Sequence, residues 1–316
     1  MIKNRLATFI LMILVVMSFV GAVYSDEKKT EEIKKVSDVF PTLTIGALAG
    51  AKVVDLADGV VLDAGDYKLK AEDVDKELER IADTYKAQFK NNKFFLLENM
   101  TAQNLVTKEA NKWADENNVD KDNPEVDVLQ KYFDSIASKV TVSDEEAKAF
   151  YDANKDMIGD QTYDDIKNDI IEYLKADKQQ SEINNWVNKL SDRIEIKVDK
   201  KWTQEQYDLA LDNELDKARK NAKLPTMAFF FSTTCKPCAD TKPHVQSIKT
   251  EFADKLNVVS ISTNDNFVLS ERYGIEVVPI IVFFDKDGKE VSRNTGYISK
   301  EDLTAKLKDV GVTKAE

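Results

Sequence analysis

The sequence predicts two domains, an all-α helical domain followed by an α/β domain, and three observations carry that prediction. The chain has 316 residues, 42% of them apolar and 32% charged, with 10 Gly and 6 Pro. That is long enough for two cores, and the composition favours long solvated helices over a β sandwich. From about Lys70 to Leu190 apolar residues recur at three- and four-residue steps, the period of one helix face. Beyond Trp202 short apolar runs alternate with helical stretches, as in a layered α/β domain of about a hundred residues.

The elements follow in chain order. Lys3 and Arg5 precede an uncharged apolar run from Leu6 to Val23, and Asp26-Glu27-Lys28-Lys29 comes after it. This is the order of an export signal spanning 1–25, with Val23 and Ser25 as the small residues before a cleavage site. An uncleaved anchor is the other reading, because the run has the length of a minimal membrane span. Both place the rest of the chain outside the cytoplasm, as in a periplasm. No cysteine is near the site, so no lipid attachment is expected there. Residues 26–65 read as a charged lead-in, then loop and a short strand near Val60-Val61-Leu62.

The helical domain is expected over 66–200. Val74, Leu78, Ile81, Tyr85 and Phe89 mark one helix face; Phe94, Leu97, Leu105, Val106, Ala110 and Trp113 a second; Val126, Leu129, Tyr132, Phe133 and Ile136 a third. Ser143-Asp144-Glu145-Glu146 has the form of a capping box. Thr162 is placed to cap a last long helix, and Ile194, Ile196 and Val198 alternate as in a strand. The boundary falls near Lys200-Lys201-Trp202. The second domain, 203–316, is expected to hold a helix over 203–221 and strands over 226–231, 257–262, 280–284 and 289–295. Its helices follow the Cys-x-x-Cys to about Asp254, then span 266–273 and 299–310. The formal net charge of −12 and the lack of a basic stripe argue against nucleic acid as a partner.

Cys235-Lys236-Pro237-Cys238 holds the only two cysteines, directly after the apolar run Met227-Ala228-Phe229-Phe230-Phe231. A strand ending in a Cys-x-x-Cys that opens a helix is the arrangement of a dithiol redox centre. The helix N-terminus offers unpaired N–H groups and partial positive charge to a thiolate on the first cysteine. Half a zinc site is the competing reading. His244, the only histidine, lies six residues past Cys238 and would complete at most three soft ligands.

This second region resembles thioredoxin over roughly 203–312. The resemblance rests on Phe229-Phe230-Phe231 before the Cys-x-x-Cys, Pro243 in the following helix, Tyr273-Gly274-Ile275, Val278-Pro279-Ile280, Asp287-Gly288 and Gly296. It implies an α/β thioredoxin fold and thiol–disulfide oxidoreductase activity, with no cofactor beyond the redox-active disulfide Cys235–Cys238. It further implies that Cys235 attacks, that Cys238 resolves, and that Pro279 is a cis-proline facing them, leaving the Val278 backbone free to pair with a substrate strand. Thr234, Lys236 and Pro237 flank that surface. The expected partners are proteins with disulfides or thiols, and a thiol redox partner protein. Two departures stand out. Thr234 replaces the family's tryptophan before the first cysteine, and Phe229 replaces its buried acid, so another base or a water chain must deprotonate Cys238. Lys236 is expected to favour the Cys235 thiolate. Lys-Pro between the cysteines is closer to the Gly-Pro of thioredoxin than to the Pro-His of a strong oxidant, which leans toward reduction or isomerisation.

Residues 66–200 resemble the amino-terminal region of SurA- and parvulin-type periplasmic folding factors. The phrases are Leu69-Lys70-Ala71-Glu72-Asp73-Val74, Val142-Ser143-Asp144-Glu145-Glu146-Ala147 and Tyr163-Asp164-Asp165-Ile166-Lys167. The Asn154–Asp160 stretch is too short to hold a parvulin insert, so the resemblance implies binding of unfolded polypeptide without prolyl isomerisation. The alternative function is a holdase chaperone whose dithiol is a redox switch or a structural disulfide. Phe94, Phe95, Trp113, Tyr132, Phe133, Tyr151 and Trp186 either line a groove for such segments or form the bundle core.

Overall fold

Two apolar cores meet at a break in the chain between Ala210 and Glu214. A computed structural model describes residues 34–123, 126–191, 193–220 and 223–313; the expected signal segment, 1–25, lies outside them. Among the described residues no helix is long and apolar enough to cross a membrane.

The first core begins with α1 (Val36–Val39), β1 (Lys52–Val54), β2 (Val60–Ala64) and β3 (Tyr67–Lys70). β4 (Lys197–Asp199) closes the region by inserting between β1 and β2, in the order β1-β4-β2-β3. β4 runs parallel to β1, with Val53 opposite Val198, and antiparallel to β2. The region is therefore helical but not all-α. The strands expected near Val60-Val61-Leu62 and at Ile194, Ile196 and Val198 form as β2 and β4. Their assembly into a sheet is hidden from the sequence because β4 finds its partners only through the tertiary fold, and local periodicity does not report such pairing.

The helices are α2 (Ala71–Arg80), α3 (Asp83–Lys90), α4 (Lys93–Glu116), α5 (Val128–Ala137), α6 (Asp144–Ala153), α7 (Lys155–Ile158) and α8 (Tyr163–Ser191). The face expected on one helix from Val74 to Phe89 is split, because Ile81 is extended with ψ 137°. Val74 and Leu78 are buried before the break, whereas Tyr85 after it is 56% exposed. At Ser143 both bonds of the capping box form. Glu146 N–H donates to Ser143 Oγ at 3.2 Å, and Ser143 N–H donates to Glu146 Oε2 at 2.9 Å. Thr162 begins α8 by donating from its N–H and hydroxyl to Asp165 Oδ2, at 3.1 and 2.6 Å. Phe40, Leu48, Leu62, Val74, Phe94, Leu97 and Val198 share the core.

The helix expected over 203–221 is two helices, α9 (Lys200–Ala210) and α10 (Glu214–Lys220). Ala210 is buried in the first core and Leu215 in the next. The first core thus continues past the Lys200-Lys201-Trp202 boundary read from the sequence.

The second region contains β5 (Thr226–Phe231), α11 (Lys236–Glu251), β6 (Asn257–Ser262), α12 (Phe267–Arg272), β7 (Ile280–Phe284), β8 (Glu290–Thr295) and α13 (Lys300–Lys306), which ends in a 3₁₀ turn at Leu307–Val310. The sheet order is β6-β5-β7-β8, with β5 parallel to β6 and the other pairs antiparallel. Successive side chains of β5 point to opposite faces. Met227 and Phe229 enter the core shared with Val245, Ile248 and Leu303, while Ala228 and Phe230 enter the core shared with Leu215 and Leu269. A central strand covered on both faces needs an unbroken apolar run, and Met227–Phe231 supplies one. Phe229, Phe230, Phe283 and Phe284 are each nearly inaccessible, and burying one contributes about 2–3 kcal/mol over leaving it exposed.

Ile33–Glu316 form one compact unit, and the contacts between its two regions converge on α12. Phe95 of α4 meets Phe267 edge-on, with ring centroids 6.0 Å apart. The Phe267 N–H donates to Gln88 Oε1 at 2.7 Å, and Arg272 Nε donates to the Thr42 carbonyl at 2.8 Å. Gly274 has φ +62°, and a Cβ there would stand 3.2 Å from Ile45 Cδ1. Glycine suits this turn on both counts.

Candidate active site

Cys235 caps α11. Its sulfur accepts the Cys238 N–H at 3.1 Å, taking the place that a serine or aspartate oxygen holds at other helix starts. Pro237 sits in the first turn, where its missing N–H costs no intrahelical bond. Pro243 lies inside the same helix and removes one backbone donor there.

The two cysteines form a disulfide, with S–S 2.13 Å and Cα–Cα 5.2 Å. They are unequal in access: Cys235 is half-buried, whereas Cys238 is 2% exposed. Cys238 packs among Phe229, Ile281 and Ile298. An external disulfide can therefore reach Cys235 far more readily than Cys238.

The Val278–Pro279 peptide bond is cis. The Val278 carbonyl oxygen lies 3.6 Å from Cys235 Sγ, so the loop before β7 stands directly against that sulfur. Cys235, Cys238, Val278 and Pro279 are brought together; Pro237 is half-buried beside them. Thr234 is exposed, with its hydroxyl 3.1 Å from that of Ser232. Lys236 is 85% exposed, and its ammonium pairs with Asp240 at 2.8 Å. That hydrogen bond, followed by the Asp240 charge, raises the lysine above its ordinary range. A lysine already paired acts on the sulfur as a dipole rather than a lone charge, so its influence on a Cys235 thiolate is weaker than the sequence suggests.

Phe229 is fully buried and stacked on Phe231, with centroids 5.4 Å apart. Lys242 Nζ lies 5.2 Å from the Phe231 ring centroid. No carboxylate replaces the missing acid from this strand. The hydroxyl one turn beyond Cys238, on Thr241, donates to the Pro237 carbonyl at 2.8 Å and serves the helix. His244 Nδ1 is 3.0 Å from the Ile298 carbonyl; it acts as a helix-to-loop tie. Among the described residues no group of three or more His, Cys, Asp or Glu is arranged to hold a metal.

The aromatics of the helical region divide. Phe94, Tyr132 and Tyr151 are buried. Trp113 and Trp186 pack on Tyr132, at 5.5 and 5.1 Å. Most of the set builds core; Phe95 alone also faces a cleft beside the dithiol domain. The sequence names Phe95, Gly274 and Ile275 but does not join them into one cleft, because its lining comes from four separated segments.

Residues 211–311 match the family described as a thioredoxin-like domain. Thioredoxin of Porphyra purpurea is 33% identical over 87 residues, which are 28% of this chain and 80% of that protein. Thioredoxin 1 of Synechococcus elongatus is 30% identical over 86 residues, 27% of this chain and 79% of its own. Thioredoxin of Alicyclobacillus acidocaldarius is 31% identical over 86 residues, 27% of this chain and 81% of its own. Through this carboxy-terminal part, with its disulfide-bonded Cys-x-x-Cys, the chain belongs to the thioredoxin family and carries a thiol–disulfide oxidoreductase domain.

Proposed function

We propose that the chain exchanges disulfides in polypeptides held by its helical region, outside the cytoplasm. The observation that carries this reading is the placement of Cys235: half-buried, on the helix cap, 3.6 Å from the Val278 carbonyl. A substrate strand lying on the Val278 loop has its sulfur delivered to Cys235, and proximity of this kind removes most of the entropic barrier to reaction.

The exchange runs in two steps. The Cys235 thiolate attacks one sulfur of the substrate disulfide; that S–S bond breaks and the other substrate sulfur leaves as a thiolate. Cys238, deprotonated, then attacks the Cys235 sulfur. The mixed disulfide breaks, the substrate leaves as a thiolate, and Cys235–Cys238 is oxidised. The helix N-terminus and the Cys238 N–H stabilise charge on Cys235. Cys238 is buried in the apolar core, which keeps it from external disulfides and leaves it to act on the Cys235 sulfur beside it. A thiol redox partner protein reduces the pair for the next cycle. The apolar Leu6–Val23 run supports an extracytoplasmic location, and the SurA-like phrases support capture of unfolded chains by the helical region.

The test is insulin reduction and refolding of a scrambled disulfide protein by wild type and by Cys235→Ser. Wild type is expected to act and the variant to fall to background. Equal rates would reject the enzyme reading. Suppression of aggregation without any exchange, unaffected by Cys235→Ser, would favour a holdase with a structural disulfide.

A further inference from the structure

A cleft of about 460 Å³ opens between the helical region and the thioredoxin domain. Ile45, Phe95, Val187 and Ile275 give it apolar walls, and Glu271 and Glu276 are its charged members on the thioredoxin side. Its lining comes near the dithiol site along the chain. Glu276 is two residues from Val278, hence within about 7 Å of it along the chain, and Val278 touches Cys235. Ile45 and Val277 are 61% and 48% exposed at this junction.

The charge in the cleft is one-sided. Glu271 and Glu276 form no ion pair among the described residues, although exposed acids elsewhere on the chain commonly pair with lysine. Among the described residues no lysine or arginine lines the cleft. Arg293 reaches the Gly274 carbonyl at 3.4 Å but is held by both carboxylate oxygens of Glu290, at 2.7 and 2.8 Å. Partial burial, and then the charge of Glu276, push the Glu271 carboxyl above its usual range. A cation arriving from outside would relieve that repulsion. The third acid of the cleft, Glu98, is internally satisfied by Thr44 and Leu48 and offers little to a ligand.

We propose that this cleft seats the polypeptide segment flanking the cysteine that Cys235 attacks, and that it favours segments carrying a lysine or arginine beside apolar residues. The inference rests on the reading of Cys235 as a nucleophile toward polypeptide disulfides and names the substrate class of that site. Apolar walls accept the aliphatic neighbours, and the two unpaired carboxylates accept the cation, steering its approach as complementary charge does at other interfaces.

The test uses the reduced full-length protein and short peptides whose single cysteine is a mixed disulfide with thionitrobenzoate. Attack by Cys235 forms the Cys235–peptide disulfide and releases the coloured thiolate, so the rate is read directly. Three peptides differ only beside the cysteine: lysine, glutamine or glutamate, each next to leucine. At low salt the lysine peptide is expected to react roughly tenfold faster than the glutamate peptide, with the ratio falling as salt screens the charges. In Glu271→Gln/Glu276→Gln the ratio is expected to fall toward one. In Glu271→Gln/Glu276→Lys it should invert, which a merely loosened fold would not produce. Equal rates for the lysine and glutamate peptides in wild type, or an unchanged ratio in the double variant, would overturn the proposal while leaving the exchange activity in place. Failure to react with any of the three peptides would overturn both.

Discussion

Glu98 in the helical region and Asp216 in the thioredoxin region are both buried, at 7% and 1% exposure, yet their surroundings are opposites. Asp216 lies between two guanidinium groups. Arg219 donates to Oδ1 at 3.1 Å and Arg272 to Oδ2 at 3.2 Å, with further bonds from Tyr273 Oη at 2.5 Å and Asn213 Nδ2 at 2.6 Å. Among the described residues Glu98 has no cation partner. Thr44 Oγ1 stands 2.6 and 2.7 Å from its two oxygens, and Leu48 N–H donates to Oε1 at 2.8 Å. One hydroxyl has a single proton, so both short contacts are satisfied when the carboxyl is protonated: it donates from Oε2 to Thr44 and accepts from Thr44 at Oε1. Desolvation accordingly pushes Glu98 above the ordinary glutamate range.

The two regions solve the same problem, a buried carboxyl group, by pairing in one case and by neutralisation in the other. The difference teaches where each is sensitive. A charge hub fails when a partner is removed, whereas a neutral acid fails when pH rises. Both serve one junction. Arg272 also donates to the Thr42 carbonyl and Glu98 holds Thr44, so the segment carrying Ile45 is tied from both sides beside Gly274.

The largest effect is expected from Asp216→Ala, which leaves Arg272 and Arg219 without their counter-charge. Removing one partner of a buried ion pair costs about 3–5 kcal/mol, and urea unfolding should show a loss of that size. A loss near zero would mean that the hub carries no weight. Glu98→Ala comes next, at about 1–3 kcal/mol, because Leu48 N–H and Thr44 lose their partner in a buried site.

Glu98→Gln sharpens the contrast through pH. The folded state holds the Glu98 proton more tightly than the unfolded state. Its stabilising contribution is therefore complete below the unfolded-chain value and is lost as pH rises from there through the raised folded value. The glutamine variant keeps the neutral bonding pattern, so its advantage over wild type should grow across that window, by at most about 1.4 kcal/mol per pH unit. Unfolding at a series of pH values checks this, and an advantage that shrinks with rising pH would refute the neutral-acid reading. The smallest effect is expected from Lys236→Ala. Its exposed pair with Asp240 contributes little, and both the unfolding midpoint and the rate of peptide exchange should stay within error.

Legibility differed between the regions for physical reasons. Strand Thr226–Phe231 was readable because a strand covered on both faces is nearly uniformly apolar, and strand Asn257–Ser262 because Val258, Val259 and Ile261 form a short apolar run. The Ser143 capping box was readable because capping is local chemistry. The break at Ile81 was not, since the apolar spacing continues across it from Leu78 to Tyr85 and beyond. Two strands of the helical region were readable, but their pairing was not, since Lys197–Asp199 pairs with Lys52–Val54 across the whole helical span. At the dithiol, the pair and its strand–helix setting were legible in the residues, and the facing proline was legible through resemblance. The coupling of Lys236 to Asp240 was not anticipated, although an i,i+4 pair on a helix is a signal that could have shown it.

From the order of its amino acids alone, this protein was committed to a helical region, an α/β region and a dithiol at the start of a helix, because period, capping and cysteine spacing act over a few residues. Only the folded chain decided that Cys238 is sealed while Cys235 is reachable, that the acids at 98 and 216 are satisfied in opposite ways, and that Ile45, Phe95 and Glu276 border one cleft. Those outcomes depend on which distant segments exclude water from one another, and water exclusion is a property of the packed whole.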